Sequence, residues 1–199
     1  MKAIRIHEHG GPEVLKFEDV EKPALQPGHV LIRIQAIGVN FIDTYHRTGL
    51  YPVKLPLTLG QEGAGIVEEV ADDVQWFRAG ERVAWTNVPG AYAEFAAVPA
   101  SRLVKVTEDI SFDIAAATML QGMTAHYLAT STYPLQAGDT CLVYAAAGGV
   151  GLMLTQIAKL RGATVIGTTS SKDKADLAIA AGADHVIRYD THSVSDEVK

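Results

Sequence analysis

The sequence predicts an α/β protein in two parts, a β-rich, barrel-like N-terminal region followed by the first half of a parallel sheet layered with helices. Three observations carry that prediction. Residues 1 to about 120 divide into short extended runs separated by Gly and Pro. From Ser111 onward helical periodicity takes over and then alternates with short apolar runs. Within that second part, Thr140 to Arg161 passes from an apolar run through a cluster of glycines straight into an apolar-periodic helix. The pattern changes between Ile110 and Gly122, dividing the chain into residues 1–118 and 119–199.

In the first part, residues 2–7, 15–20, 30–38, 65–70, 82–85 and 92–97 read as strands, joined by turns such as Gly10-Gly11-Pro12, Gln26-Pro27-Gly28 and Val88-Pro89-Gly90. The second part opens with helices over about 113–120 and 124–131. A β-α-β-α-β series follows, with buried strands at 140–144, 164–167 and 184–189 and helices at about 151–161 and 172–180. No internal repeat interrupts this order.

The glycine turn is the most informative segment. Ala145-x-x-Gly148-x-x-Gly151 is a one-residue variant of the dinucleotide fingerprint, set between a strand and a helix as that fingerprint requires. Gly148 permits the tight turn, Gly149 and the small Ala145 to Ala147 let the backbone approach a pyrophosphate, and Gly151 lets the helix pack against the strand. Unpaired N–H groups at the helix start then face the anion. A site for NAD places a carboxylate at the end of the next strand to hold the ribose 2′-hydroxyl. Here that strand ends in Thr168-Thr169-Ser170-Ser171-Lys172-Asp173-Lys174, whose hydroxyls and lysines suit the 2′-phosphate of NADP. The same serines also suit an N-cap for the helix that follows. A sheet of this kind is built from two such halves, and strands for one are present; residues 193–199 read as the opening turn of another helix.

Composition narrows the classes of function. With 48% hydrophobic and 20% charged residues, the 199-residue chain has ample material for a core. A net charge of −6 without any basic run argues against a nucleic-acid face. No apolar stretch approaches the roughly 18 residues that span a bilayer, and the N-terminal residues lack the apolar core of a signal peptide, so the expectation is a cytoplasmic protein. The single cysteine, Cys141, excludes an intramolecular disulfide and a thiolate metal cluster.

Two further segments carry polar groups in apolar settings, Gly38-Val39-Asn40-Phe41-Ile42-Asp43-Thr44-Tyr45-His46-Arg47 and Leu59-Gly60-Gln61-Glu62-Gly63-Ala64-Gly65. Read from the residues alone, Asn40 is an Asx turn or N-cap and Asp43 a first-turn partner of the helix dipole, with Arg47 placed to balance Asp43 at i, i+4. Tyr45 and Tyr51 are half-buried packing residues, and Gln61 and Thr124 turn or cap residues. Taken in order with Ala-Tyr-Ala-Glu-Phe (91–95), Gln-Gly-Met-Thr (121–124) and Ala-Ala-Ala-Gly-Gly-Val-Gly (145–151), however, these segments resemble the zinc-free quinone oxidoreductases of the medium-chain dehydrogenase/reductase superfamily, the group that includes zeta-crystallin. The resemblance covers essentially the whole chain.

The resemblance implies a GroES-like N-terminal domain, a partial Rossmann domain, and NADPH-dependent reduction of quinones without a catalytic metal. Where zinc-dependent relatives carry Cys and His, this chain has Asn40 and Gln61, whose carboxamides are not zinc ligands. The seven histidines show no ligand spacing. The resemblance also implies that Asn40, Asp43, Tyr45, Tyr51, Gln61 and Thr124 line the substrate and nicotinamide site. Ala147, Gly148, Gly149, Val150 and Gly151 meet the pyrophosphate, and Ser170, Lys174 and Tyr189 surround the adenosine 2′-phosphate. A quinone suits such a site, since hydride addition yields an aromatic hydroquinone anion that a few donors stabilise. Two alternatives stay open: a zinc-free reductase of enones or enoyl thioesters, and a non-enzymatic NADP-binding or structural product. A full-length form is expected to be a homodimer.

Overall fold

The computed structural model describes residues 1–198. They form two compact units, one ending at Leu120 and the other starting at Gln121. The first unit holds β1 (Lys2–Ile6), β2 (Lys16–Asp19), β3 (His29–Gly38), α1 (Phe41–Thr48), β4 (Leu57–Thr58), β5 (Glu62–Val70), β6 (Arg82–Thr86), β7 (Phe95–Pro99) and β8 (Leu103–Lys105). Helix α2 (Phe112–Tyr127) follows, and then β9 (Thr140–Val143), α3 (Gly149–Leu160), β10 (Thr164–Thr169), α4 (Lys172–Ala180), β11 (His185–Arg188) and the short α5 (Val194–Glu197).

In the first unit, β7-β3-β5-β6-β8 make an open five-stranded antiparallel sheet and β2-β1-β4 a second, three-stranded one. The GroES-like expectation holds in strand content, but neither sheet closes into a barrel. Two register shifts in the β3–β5 ladder, at Leu31/Ile32 and Ile34/Ala36, bend the larger sheet, as bulges do. Its core is built from alternate residues of neighbouring strands, Val30 and Ile32 on β3, Val67 on β5, Val83 and Trp85 on β6 and Val98 on β7, all buried. The ladder places Gly38 opposite Glu62 and Glu62 opposite Thr86, so the β3 end leading into α1 lies beside the start of β5.

The second unit carries a parallel sheet in the order β11-β10-β9, with α3 and α4 as the crossovers, which is the start of a Rossmann-type domain. Val143, Ala146, Ala158, Val165 and Ala178 form its buried centre. Small residues dominate there, which lets helices and sheet approach closely.

Several boundaries depart from the sequence expectation for physical reasons. Strands β4 and β8 have two and three residues, too few to show a period of two. Strand β5 starts at Glu62 and not at Gly65, because Gly63 and Gly65 are strand glycines: a side chain at Gly63 would meet the Trp85 ring and one at Gly65 the Arg33 backbone. Strand β7 starts at Phe95 and not at Tyr92, since Tyr92 bonds in an irregular pattern to Leu59 and Ile4. The two helices expected around Gln121-Gly122 are one helix of 16 residues, extended by a π-helical turn over Leu128–Thr132. One glycine costs a helix only about 1 kcal/mol relative to alanine, too little to break it.

Candidate functional site

Two constellations, one in each unit, contain the residues singled out by the sequence, Thr124 excepted. In the first unit Asn40 ends the extended segment after β3 and caps α1. Its backbone N–H donates to Asp43 Oδ2 at 2.9 Å, so the first turn of α1 is tied to the residue that precedes it. Asp43 Oδ2 also accepts from the Tyr92 hydroxyl at 2.7 Å. The Asn40 carboxamide turns toward β5, where Nδ2 donates to Glu62 Oε1 at 3.0 Å. Glu62 Oε2 accepts from the backbone N–H of Leu120 in α2 at 2.6 Å. Asn40, Asp43 and Gln61 are less than a tenth exposed and Glu62 is wholly buried.

Such a cluster stands only because its members satisfy one another. Burial raises the Glu62 carboxyl above its usual range; the bonds from Asn40 and Leu120 pull it back, and the nearby Asp43 charge pushes it up again. The Tyr92 phenol is held strongly in its protonated form, by burial first and then by its bond to Asp43. Asp43 Oδ1 is buried with no hydrogen-bond partner among the described residues.

Beside this network, the Tyr45 and Tyr51 rings meet edge to face with centroids 5.3 Å apart, and the Tyr51 N–H donates to the Tyr45 carbonyl at 3.2 Å. Gln61 Nε2 lies 3.5 Å from His46 Nδ1, and His46 in turn faces Tyr51. Helix α1 and the entry to β5 thus bring Asn40, Asp43, Tyr45, Tyr51 and Gln61 together, while Thr124 lies in the other unit, on α2. Arg47 does not balance Asp43; its Nε donates to the Gly10 carbonyl, because Asp43 turns inward to Tyr92. Sequence reading assigned no role to Glu62, Tyr92 or His46. A glutamate inside a glycine-rich apolar run was the available signal for the first, since a buried carboxylate needs named partners.

In the second unit the chain leaves β9 through Ala145, whose backbone is left-handed (φ 49°), and the Gly148 N–H closes the turn on the Ala145 carbonyl at 2.8 Å. Gly148 then caps α3, which begins at Gly149, so Ala147 to Gly151 frame the start of a helix, where the first N–H groups have no partner within the helix itself. Gly151 is buried because α3 lies against the turn: a side chain there would come within 2.7 Å of Ala146 Cα. A side chain at Gly149 would meet the Gln121 carboxamide.

At the end of β10, Ser171 caps α4 by accepting from the Lys174 N–H at 3.4 Å, and Lys174 Nζ donates to Ser170 Oγ at 3.1 Å. Lys172 is occupied by Asp176 on its own helix, at 2.8 Å. Tyr189, half exposed, is fixed beside them by its N–H bond to the Thr169 carbonyl at 3.0 Å. Ser170 and Lys174 therefore meet at the carboxyl end of the parallel sheet, next to the strand end that carries Tyr189, with no carboxylate among residues 168–171. Among the described residues no group of three or more His, Cys, Asp or Glu is placed to hold a metal ion. A surface cleft of about 370 Å³ lined by Leu25, Pro27, Val70 and Asp73 contains none of the residues above.

Comparison with known proteins finds two domain families along the chain. Residues 26–108 match the alcohol dehydrogenase GroES-like domain family, and residues 149–199 match the zinc-binding dehydrogenase family. In the order of its domains and along its whole length the chain is similar to members of the medium-chain dehydrogenase/reductase superfamily. Among those members, it is 47% identical to a quinone oxidoreductase of Pseudomonas aeruginosa, over 99% of this chain and 61% of the relative. It is 43% identical to a 2-haloacrylate reductase of a Burkholderia species, again over 99% of this chain and 61% of the relative. The crystal structure of Escherichia coli quinone oxidoreductase complexed with NADPH superposes with a TM-score of 0.98 at 41% identity, over 100% of this chain and 62% of that one. The chain thus spans about three fifths of the length of these superfamily members.

Proposed function

We propose that this chain carries the substrate domain and the first half of the nucleotide domain of an NADPH-dependent quinone reductase that works without a catalytic metal. The observation that carries the reading is the Ser170–Lys174 pair at the end of β10, where a 2′-phosphate needs donors and positive charge. It is supported by the likeness over the whole chain to an oxidoreductase solved with NADPH. The residues fit the cofactor: the Gly151 contact keeps α3 against the turn, and the first N–H groups of a helix, which have no partner within it, suit a pyrophosphate.

In this reading bound NADPH supplies a hydride to the quinone ring. The chain's own residues bind and orient. The Asn40 and Gln61 carboxamides donate to a quinone oxygen as charge develops on it, and the Tyr45 and Tyr51 rings wall the ring plane. Asp43 holds the first turn of α1, and Thr124 stands by the nicotinamide. A cytoplasmic site of action and a homodimeric full-length form belong to the same reading; cell fractionation and sedimentation of a full-length form check them.

The test is a fluorescence titration of the chain with NADPH and NADH, followed by turnover with a quinone panel. Saturable binding with an NADPH preference supports the reading, and equal affinity for the two overturns its nucleotide assignment. A second reading, reduction of an activated alkene, is favoured by the likeness to 2-haloacrylate reductase, and turnover of haloacrylate but not quinone would select it.

A further inference from the structure

The Asn40 carboxamide acts in the proposed reaction only if its orientation is set, because an amide presents donors on one side and an acceptor on the other. The structure shows what sets it. Glu62 is wholly buried, and both of its oxygens are used: Oε1 accepts from Asn40 Nδ2 at 3.0 Å and Oε2 from the Leu120 N–H at 2.6 Å. Among the described residues no cation is paired with Glu62. A leucine or glutamine would fill similar volume without the cost of a buried charge, so a carboxylate here is explained by what it orients. The neighbouring strand is shaped to admit it. A side chain on Gly38, directly across the β3–β5 ladder, would collide with the Glu62 carboxylate.

We propose that Glu62 is a positioning residue of the quinone site, whose acceptor-only carboxylate fixes the Asn40 carboxamide and the α2 backbone at Leu120 in a single geometry. The carboxylate demands an N–H from both partners, and Asn40 can meet that demand only with Nδ2 turned inward. Its second Nδ2 hydrogen then has a defined direction. The proposal rests on the assignment of Asn40 to the quinone site, and it takes Glu62 as acting through Asn40 and not on the substrate.

Glu62→Gln tests it. Glutamine keeps the shape but turns one acceptor into a donor, so it opposes either the Asn40 amide or the Leu120 N–H. On the folded 199-residue chain, the NMR signals of the Asn40 side-chain NH2 and of the Leu120 N–H are expected to shift. Affinity for naphthoquinone should fall by roughly tenfold or more, the loss that goes with one charge-assisted hydrogen bond. NADPH affinity should change less than threefold. Val98→Ala, a cavity in the same unit remote from α1, controls for lost stability and should leave naphthoquinone affinity unchanged.

Two results separate the failures. If Asn40→Ala binds naphthoquinone like the parent chain, the assignment of Asn40 to the site is wrong. If Asn40→Ala loses affinity while Glu62→Gln keeps it, Asn40 stands and the positioning role of Glu62 is overturned. Should Glu62→Gln fail to fold, Glu62→Asp, which keeps the charge but draws it back by one methylene, takes its place with the same expected loss and the same refuting result.

Discussion

Replacing Tyr92 by Phe removes one oxygen from the first unit and leaves the ring in place. The hydroxyl donates at 2.7 Å to Asp43 Oδ2, and Asp43 is only 4% exposed. Without it Oδ2 keeps a single bond, from the Asn40 N–H, and Oδ1 already has no partner among the described residues. A hydrogen bond to a charged group contributes about 1.5–3 kcal/mol, and a partly stranded buried acceptor places this case toward the upper half, about 2–3 kcal/mol. For a chain of this size each kcal/mol moves the melting midpoint by roughly 2–4 °C, so a fall of about 4–12 °C is expected. Urea titration followed by circular dichroism reads the free energy directly, with an unchanged slope showing that the denatured state is not what moved. Tyr45→Phe, whose ring contact with Tyr51 persists without its hydroxyl, serves as the comparison and should stay within about 0.5 kcal/mol of the parent. A loss below about 0.5 kcal/mol for Tyr92→Phe would refute the view that this bond holds the start of α1.

Other predictions concern the second unit and acidity. Lys174→Glu should weaken NADPH binding roughly 10- to 100-fold, the range of a charge-assisted bond at an exposed site, and NADH binding far less; equal losses by fluorescence titration would remove the 2′-phosphate assignment. Gly151→Ala should cost about 1–3 kcal/mol, because the added carbon meets Ala146 backbone that cannot yield, and should weaken NADPH and NADH alike; an unchanged melting midpoint counts against that close packing. The raised Glu62 carboxyl adds stability that is fully present below the ordinary glutamate pKa of 4.5 and is lost as pH rises through its higher folded value. The melting midpoint of Glu62→Gln relative to the parent should therefore climb with pH across that window, and a constant difference would show the carboxyl to be unshifted.

The second unit was the more legible half of the sequence. Its strand–glycine–helix pattern is local: Gly148 and Gly151 sit where turn and helix packing require them, and Ser171 caps α4 through the Lys174 N–H. The first unit depends on partners far apart in sequence. Asp43 turns to Tyr92 across 49 residues, Asn40 to Glu62 across 22, and Glu62 to Leu120 across 58, and no spacing rule encodes such pairs. The pairing of Asp43 with Arg47 expected from i, i+4 spacing gave way for that reason, since a half-buried phenol outcompetes an arginine that finds the Gly10 carbonyl. Helix α2 crosses Gly122 unbroken because its length offsets one poor helix former.

Gly38 and Glu62 share one volume, as do Gly149 and Gln121: in each pair the glycine is bare where a long polar side chain from another element passes over it. Neither position can drift alone. A side chain gained at 38 has to be matched by a shorter residue at 62, so the two columns should covary among homologues, and so should 149 and 121. Libraries meant to alter substrate choice around Asn40 will therefore return functional variants far more often when positions 38 and 62 are randomised as a pair.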